Sequence, residues 1–182
     1  DKAAVVPHTS PTGTAVKPLV GRGAGPGDAA VIVPQDTLKS GGTKGFALSV
    51  GMCPQYTAYD PYAMAWAAID ESVRNAVCVG VDPDQLAILD NFSWGNTNLP
   101  DRMGELVRCL QGCHDAALAY GTPYISGKDS LNNEYLDENG VRRAIPGTLV
   151  ISSIGIVPDV AHVVTSDFKA AGNLVYLIGQ TR

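Results

Sequence analysis

The sequence predicts an α/β sandwich, with two helices packed on one face of a β-sheet. Three observations carry that prediction. Two stretches, opening at Asp60-Pro61 and at Pro100, repeat apolar residues at helical spacing. Short apolar and β-branched runs stand before, between and after them. Clusters of Gly, Pro, Asn and Asp punctuate the joins.

Residues 1–27 are rich in Pro, Gly, Thr and Ala and read as a linker, with an edge strand near residues 2–6. Residues 29–33 form a short β-branched strand. A turn containing Gly41-Gly42 covers 36–43, and 46–50 is the next strand. Asp60 can cap the first helix and Pro61 suits its first position. Tyr62, Ala65, Trp66, Ile69, Val73, Ala76 and Val77 then make its apolar face, and Gly80 ends it. A strand covers 85–89 and ends at Asp90, followed by a polar loop over 91–99. The second helix runs from Pro100 to Tyr120, with Met103, Leu106, Val107, Leu110, Cys113, Ala117 and Leu118 apolar; Gly121 and Pro123 stop it. Residues 124–126 make a short strand leading into the loop Gly127-Lys128-Asp129-Ser130. A loop or hairpin covers 132–143, and 148–157 is a long strand. After a turn at 167–172, residues 174–178 begin a new element. The missing initiator Met, and an end just past the apolar run 173–179, point to a segment of a longer chain.

With 182 residues, 45% hydrophobic and 17% charged, the chain can bury a core and reads as globular. A net charge of −5 argues against a nucleic-acid or anionic-membrane surface, while leaving room for a local anion site. No leader is visible, and no apolar run reaches the roughly 18 residues that span a bilayer. Cys53, Cys78, Cys109 and Cys113 form no CxxC pair. They read as small buried hydrophobes in a reducing, cytoplasmic setting. No second Cys/His cluster completes a zinc site, since His114 and His162 stand alone. His8 lies in the N-terminal stretch, and no Ser-His-Asp or Cys-His arrangement is readable.

Three loops combine glycine with Asp, Asn, Ser or Lys: 25–28, 90–96 and 127–133. Glycine lets backbone N–H groups approach an anion, lysine adds a point charge, and Asp or Asn oxygens suit Mg²⁺. Each loop alone is equally an ordinary turn, and Gly127-Lys128 is not a Walker A loop because GxxxxGK[ST] is absent. Glu71 and Asn75 share one helix face and can offer oxygens to a hard cation. The bland alternative is a solvated face with Glu71 paired to Arg74.

The stretches "DPYAMAWAAIDESVRNAVCVGVDP", "AILDNFSWGN", "YGTPYISGKDSLNNEY" and "IPGTLVISSIGIVPDV" follow one another in this order. Their order and spacing resemble the phosphoribosylformylglycinamidine synthase family over residues 19–182. The likeness is to the second of its two aminoimidazole-ribonucleotide-synthetase-like N-terminal-type domains. The resemblance implies an α+β fold, a mixed sheet with helices on one face, in which two such domains pair sheet to sheet. It implies a linker or edge segment over 1–18, the domain over 19–165, and the truncated start of a C-terminal-type domain over 166–182. The implied activity is an ATP-dependent ligase of purine biosynthesis. It makes formylglycinamidine ribonucleotide from formylglycinamide ribonucleotide and glutamine-derived ammonia, and this piece would be inactive alone. Implied partners are the other synthetase domains, a glutaminase domain or subunit and a small accessory subunit. A lone domain with its sheet face bare is expected to self-associate.

Carried over by position, Asp90 and Gly127 match nucleotide contacts, Ser130 a substrate contact, and Glu71 with Asn75 a metal pair. Asp28 matches one acid of a two-acid metal motif. Lys128 stands where short family members have an asparagine metal ligand; protonated lysine cannot ligate Mg²⁺, so it is expected at a nucleotide phosphate. The implied cofactors are ATP or ADP with Mg²⁺, held either catalytically or as a structural nucleotide. The family's catalytic histidine belongs to the other domain. Selenophosphate synthetase and thiamine-phosphate kinase, from the same superfamily, lack the "GKDSLNNE" stretch.

Overall fold

The computed structural model describes residues 14–16, 19–20 and 25–180. The expected edge strand near 2–6, His8 and most of the expected linker lie outside the described residues. The strands are β1 (Thr14–Val16), β2 (Leu19–Val20), β3 (Gly25–Pro26), β4 (Ala29–Ile32), β5 (Gly45–Gly51), β6 (Leu86–Ser93), β7 (Tyr124–Ser130), β8 (Glu134–Leu136), β9 (Arg142–Ala144) and β10 (Thr148–Val157). The helices are α1 (Gln35–Lys39), α2 (Pro61–Cys78) and α3 (Pro100–Tyr120). Six strands form one sheet in the order β1-β4-β5-β10-β6-β7. Neighbours are antiparallel except β6 and β7, which α3 connects as a parallel pair. The sheet is therefore mixed, with helices on one face, as the α+β expectation requires.

Local chemistry explains the helix ends. The Asp60 carboxylate accepts the Tyr62 N–H at 3.0 Å and the Arg108 guanidinium at 2.7 and 2.8 Å, so one side chain caps α2 and ties it to α3. Gly121 closes α3 in the left-handed region at φ 67°.

The helix-side face of the sheet carries the alternate residues Ala47, Ser49 and Gly51 of β5 and Leu149, Ile151 and Ser153 of β10. Small residues bring α2 close. A Cβ on Gly51 would stand 2.0 Å from the Ala68 carbonyl oxygen. Three buried serines bridge the layers: Ser49 Oγ donates to the Ser72 carbonyl at 2.7 Å, and Ser153 Oγ to Ser72 Oγ at 2.8 Å. Ser72 Oγ donates to the Ile69 carbonyl at 2.9 Å, so the network is satisfied.

The predicted apolar stripes are rotated. On α2 the buried face includes Met64, Ala65, Ala68, Ile69, Ser72, Val73 and Ala76, while Tyr62 and Trp66 are half-buried and Val77 is exposed. On α3 it is Leu106, Cys109, Gly112, Cys113 and Ala116, with Met103, Val107, Leu110 and Leu118 exposed. The helices meet along small residues, because a Cβ on Gly112 would come within 2.6 Å of the Tyr62 carbonyl oxygen. Small residues give little hydrophobic signal, so the larger apolar side chains flanking the contact draw the sequence reading. Two of the cysteines also depart from the buried reading: Cys78 is exposed and Cys53 half-buried, although all four are free.

Other differences are local. Residues 35–39 form a one-turn helix after Pro34, where a turn was predicted, and Lys39 pairs with Asp36 at 3.4 Å. Strand β6 runs on through Asn91 to Ser93, and β7 includes all of Gly127 to Ser130, because the two strands pair as far as Ser93 and Ser130. The 132–143 stretch contains the hairpin β8–β9. Residues 174–178 form no strand and stand exposed. No helix among the described residues is long and apolar enough to cross a membrane.

Candidate functional site

The β6–β7 pair builds the first cluster. Along β6 the side chains of Leu86, Ile88 and Phe92 turn inward and are buried. Alternation gives Asp90 the same direction, so a carboxylate enters an apolar row. Register sets Asp90 beside Gly127. A Cβ at 127 would lie 2.5 Å from Asp90 Oδ1, so only glycine leaves room for the carboxylate. The Lys128 N–H donates to Asp90 Oδ1 at 3.2 Å. Burial raises the Asp90 pKa, and the nearby Asp129 charge adds to the rise, while the Lys128 N–H opposes it. Lys128 Nζ donates to Ser130 Oγ at the end of β7. Asp90, Gly127 and the Lys128 N–H thus meet on the helix side of the pair, while alternation along β7 turns the Lys128 ammonium and the Ser130 hydroxyl to the opposite face, where they meet each other.

A second cluster joins α2 to the end of β5. Glu71 Oε2 accepts the Met52 N–H at 2.7 Å and lies 3.6 Å from Cys53 Sγ. Asn75 Nδ2 donates to the Val50 carbonyl at 2.9 Å. Both contacts of Glu71 fall on one oxygen, and Asn75 spends its amide nitrogen, so Glu71 Oε1 and Asn75 Oδ1 remain as hard-cation donors. Arg74 pairs with Asp70 rather than Glu71, so the predicted Glu71–Arg74 pair does not form. Asp28 is half-buried just before β4, and its charge, after burial, helps raise the Cys78 thiol at the end of α2. Among the described residues no three His, Cys, Asp or Glu side chains gather to hold a metal.

The two clusters share a level of the sheet. Ile151 on β10 is paired with Gly51 on one side and Asp90 on the other. Two strand spacings, about 10 Å, separate the backbones that carry them.

A frame the sequence did not reveal surrounds Ser130. The Trp94 N–H donates to the Ser130 carbonyl at 2.7 Å, and the Asn133 N–H to the Trp94 carbonyl at 2.8 Å. The indole of Trp94 is buried and donates to the Arg102 carbonyl at 3.2 Å. Glu134 accepts the Asn96 N–H at 3.2 Å. Its only sequence signal is one acid inside a polar stretch.

The N-terminal domain family of AIR synthase related proteins matches residues 26–157, most of the chain. The chain belongs to this family. Among relatives of this AIR synthase related domain, phosphoribosylformylglycinamidine synthase subunit PurL of Rhodopseudomonas palustris (strain BisB18) is 43% identical over 156 residues, which cover 86% of this chain and 20% of the relative. The corresponding subunit of Anaeromyxobacter dehalogenans (strain 2CP-C) is 38% identical over 161 residues, 88% of this chain and 20% of that one. The domain thus spans about a fifth of the length of these relatives. In structure it is similar to Thermotoga maritima PurL complexed with ATP, with a TM-score of 0.68 and 26% identity over 90% of this chain and 24% of that one. It is also similar to the Thermotoga maritima PurL complexed with FGAR, with a TM-score of 0.65 and 28% identity over 84% of this chain and 21% of that one.

Proposed function

We propose that the chain is the nucleotide- and substrate-holding part of a phosphoribosylformylglycinamidine synthase, the ATP-dependent carbon–nitrogen ligase of purine biosynthesis. The observation that carries this is the close fit of the Asp90 carboxylate against Gly127 and the Lys128 N–H, with the Lys128–Ser130 contact further along the same strand. Relatives of about 40% identity bear that enzyme's name, and a structural neighbour holds ATP. In this reading Gly127 lets the backbone approach the nucleotide beside Asp90. Lys128 supplies a point charge for a phosphate, and Ser130 a hydroxyl for formylglycinamide ribonucleotide. Mg²⁺ would neutralise phosphate charge. Glu71 Oε1 and Asn75 Oδ1 fit it as oxygen donors, with Asp28 as a further candidate, whereas a protonated Lys128 does not.

Boundaries near 19–165, with 166–182 opening a following domain, complete the proposal. The partners are the other synthetase domains and a glutaminase domain or subunit, and the compartment is the reducing cytoplasm. Residues 174–178 are apolar and exposed, which suits a segment covered by a neighbouring domain.

Calorimetric titration of ADP with Mg²⁺ tests the site. Saturable binding that weakens about tenfold in both Asp90→Ala and Glu71→Ala is the expected result. Undiminished binding in Asp90→Ala sinks the assignment. Binding by the complete protein but not by this chain means that the site needs its partner domain to close it.

A second reading, a structural nucleotide that only stabilises the fold, draws on Lys128, which contacts Ser130 rather than offering a metal ligand. It expects Asp90→Ala to lower the melting temperature of the complete protein while leaving turnover intact.

A further inference from the structure

We propose that Glu134 is a positioning residue that seats the loop after β6 on the β8–β9 hairpin and thereby fixes Ser130. Its side chain is only 6% exposed. Oε1 accepts the Asn96 N–H at 3.2 Å. Oε2 is buried and has no hydrogen-bond partner. Oε2 forms an ion pair with Arg142 Nη1 at 3.6 Å, too long for a hydrogen bond, on a side chain that is 67% exposed.

A carboxylate buried this deeply, with one hydrogen bond and one long ion pair to an exposed arginine, is a poor way to gain stability, because its desolvation is not offset by a full set of hydrogen bonds. What it does gain is placement. Glu134 opens β8 opposite Ala144 on β9. Gly95 lies flat on that hairpin: a Cβ there would come within 2.6 Å of the Ala144 Cβ. The backbone at Gly95-Asn96 is thus pressed to the hairpin, and the Glu134 carboxylate clasps it through Asn96. Two residues back, Trp94 grips both the Ser130 carbonyl and the Asn133 N–H. The Asn133 carbonyl in turn accepts the Ile145 N–H at 3.1 Å, just past β9. The chain of contacts from Glu134 to Ser130 therefore runs through backbone hydrogen bonds, which shift as one piece. A displacement on the order of 1 Å at a substrate-contacting group is enough to cost binding or rate. The consequence for substrate rests on the reading of Ser130 given above.

The test uses Glu134→Ala and Glu134→Gln in the complete protein, with melting temperatures to confirm folding. Gln keeps a carbonyl-type acceptor for Asn96, so it is the rescue variant. Amide exchange over residues 93–98 is expected to speed up about tenfold in Glu134→Ala and to stay within about twofold of the parent in Glu134→Gln. In the same variants, the KM for formylglycinamide ribonucleotide is expected to rise about tenfold with Ala and little with Gln, while the KM for ATP holds. Unchanged exchange in Glu134→Ala overturns the proposal, as does equal loosening by Ala and Gln. A loosened loop with an unmoved ribonucleotide KM keeps the clasp and overturns instead the reading of Ser130 as a substrate contact.

Discussion

The two faces of the sheet are built on opposite plans, and Val50 and Gly51, neighbours on β5, show it. Gly51 faces α2, where the approach is so close that no side chain fits. Val50 faces away and is 51% exposed, in company with Leu48, Ile156 and, at the edge of β7, Ile125. On β5 the covered face uses alanine, serine and glycine, and its precision there comes from backbone contact and the Ser49–Ser72–Ser153 network. Around β5 the bare face is apolar, and no helix among the described residues packs on it. One face is specified from within the domain, and the other has the character of an interface waiting for its partner.

Adding one methyl group to the covered face has the largest expected effect. In Gly51→Ala the new Cβ would meet the Ala68 carbonyl oxygen at 2.0 Å and the Ser72 nitrogen at 2.7 Å, both backbone atoms with little room to move. A loss of about 3 kcal/mol or more is expected in denaturant unfolding. A loss below about 1 kcal/mol would show that α2 can retreat, and the contrast between the faces would fail.

On the bare face, the double substitution Leu48→Lys with Val50→Lys is expected to leave monomer stability within about 1 kcal/mol. Self-association is expected to weaken at least about tenfold in sedimentation. A parent protein that stays monomeric at every concentration would remove association from the picture and leave the face merely exposed.

The smallest effect concerns Asp90, the one ionisable group set among the inward-facing side chains of β6. Burial raises its folded pKa above the unfolded value. An acid raised in this way favours folding below its unfolded pKa, and that contribution is lost as pH rises through the raised folded value. Asp90→Asn is therefore expected to gain stability relative to the parent as pH climbs from below the ordinary carboxylate range to neutrality. Melting temperatures of both proteins across that range make the check; a constant difference would mean that burial does not penalise the ionised form.

The sequence was most legible where a residue type is tied to a backbone conformation. Pro61 and Pro100 open helices, the left-handed Gly121 closes one, and β10 spans the predicted 148–157. It was least legible where neighbours decide. Asn91 to Ser93 and Gly127 to Ser130 look like loops because they are polar, yet mutual pairing carries both into strands. The helix faces were misjudged because Tyr62, Trp66, Val107 and Leu110 are large and apolar, while the true contact runs through Ala65 and Gly112. At the site, resemblance supplied Asp90, Gly127, Lys128 and Ser130, and the structure shows Asp90 against Gly127 and the Lys128 N–H, and the Lys128 side chain against Ser130. Glu134 escaped notice because its importance lies in what Asn96 offers it, a backbone N–H that no sequence pattern displays.

The place of β10 carries a consequence for how this domain comes into being. It is the last strand among the described residues and yet sits at the middle of the sheet, between β5 and β6. As the chain leaves the ribosome, β1, β4 and β5 can assemble on one side, and β6 and β7 on the other, but no strand pairing joins them and only the α2–α3 contact holds them together. Until residue 157 emerges, both halves present an open inner edge, the kind of surface that recruits the wrong strand. Closure then demands contacts between distant parts of the chain, which is slow. A pause in synthesis just before residue 148 would therefore hold the nascent protein in its most aggregation-prone form, and chaperone demand should peak there.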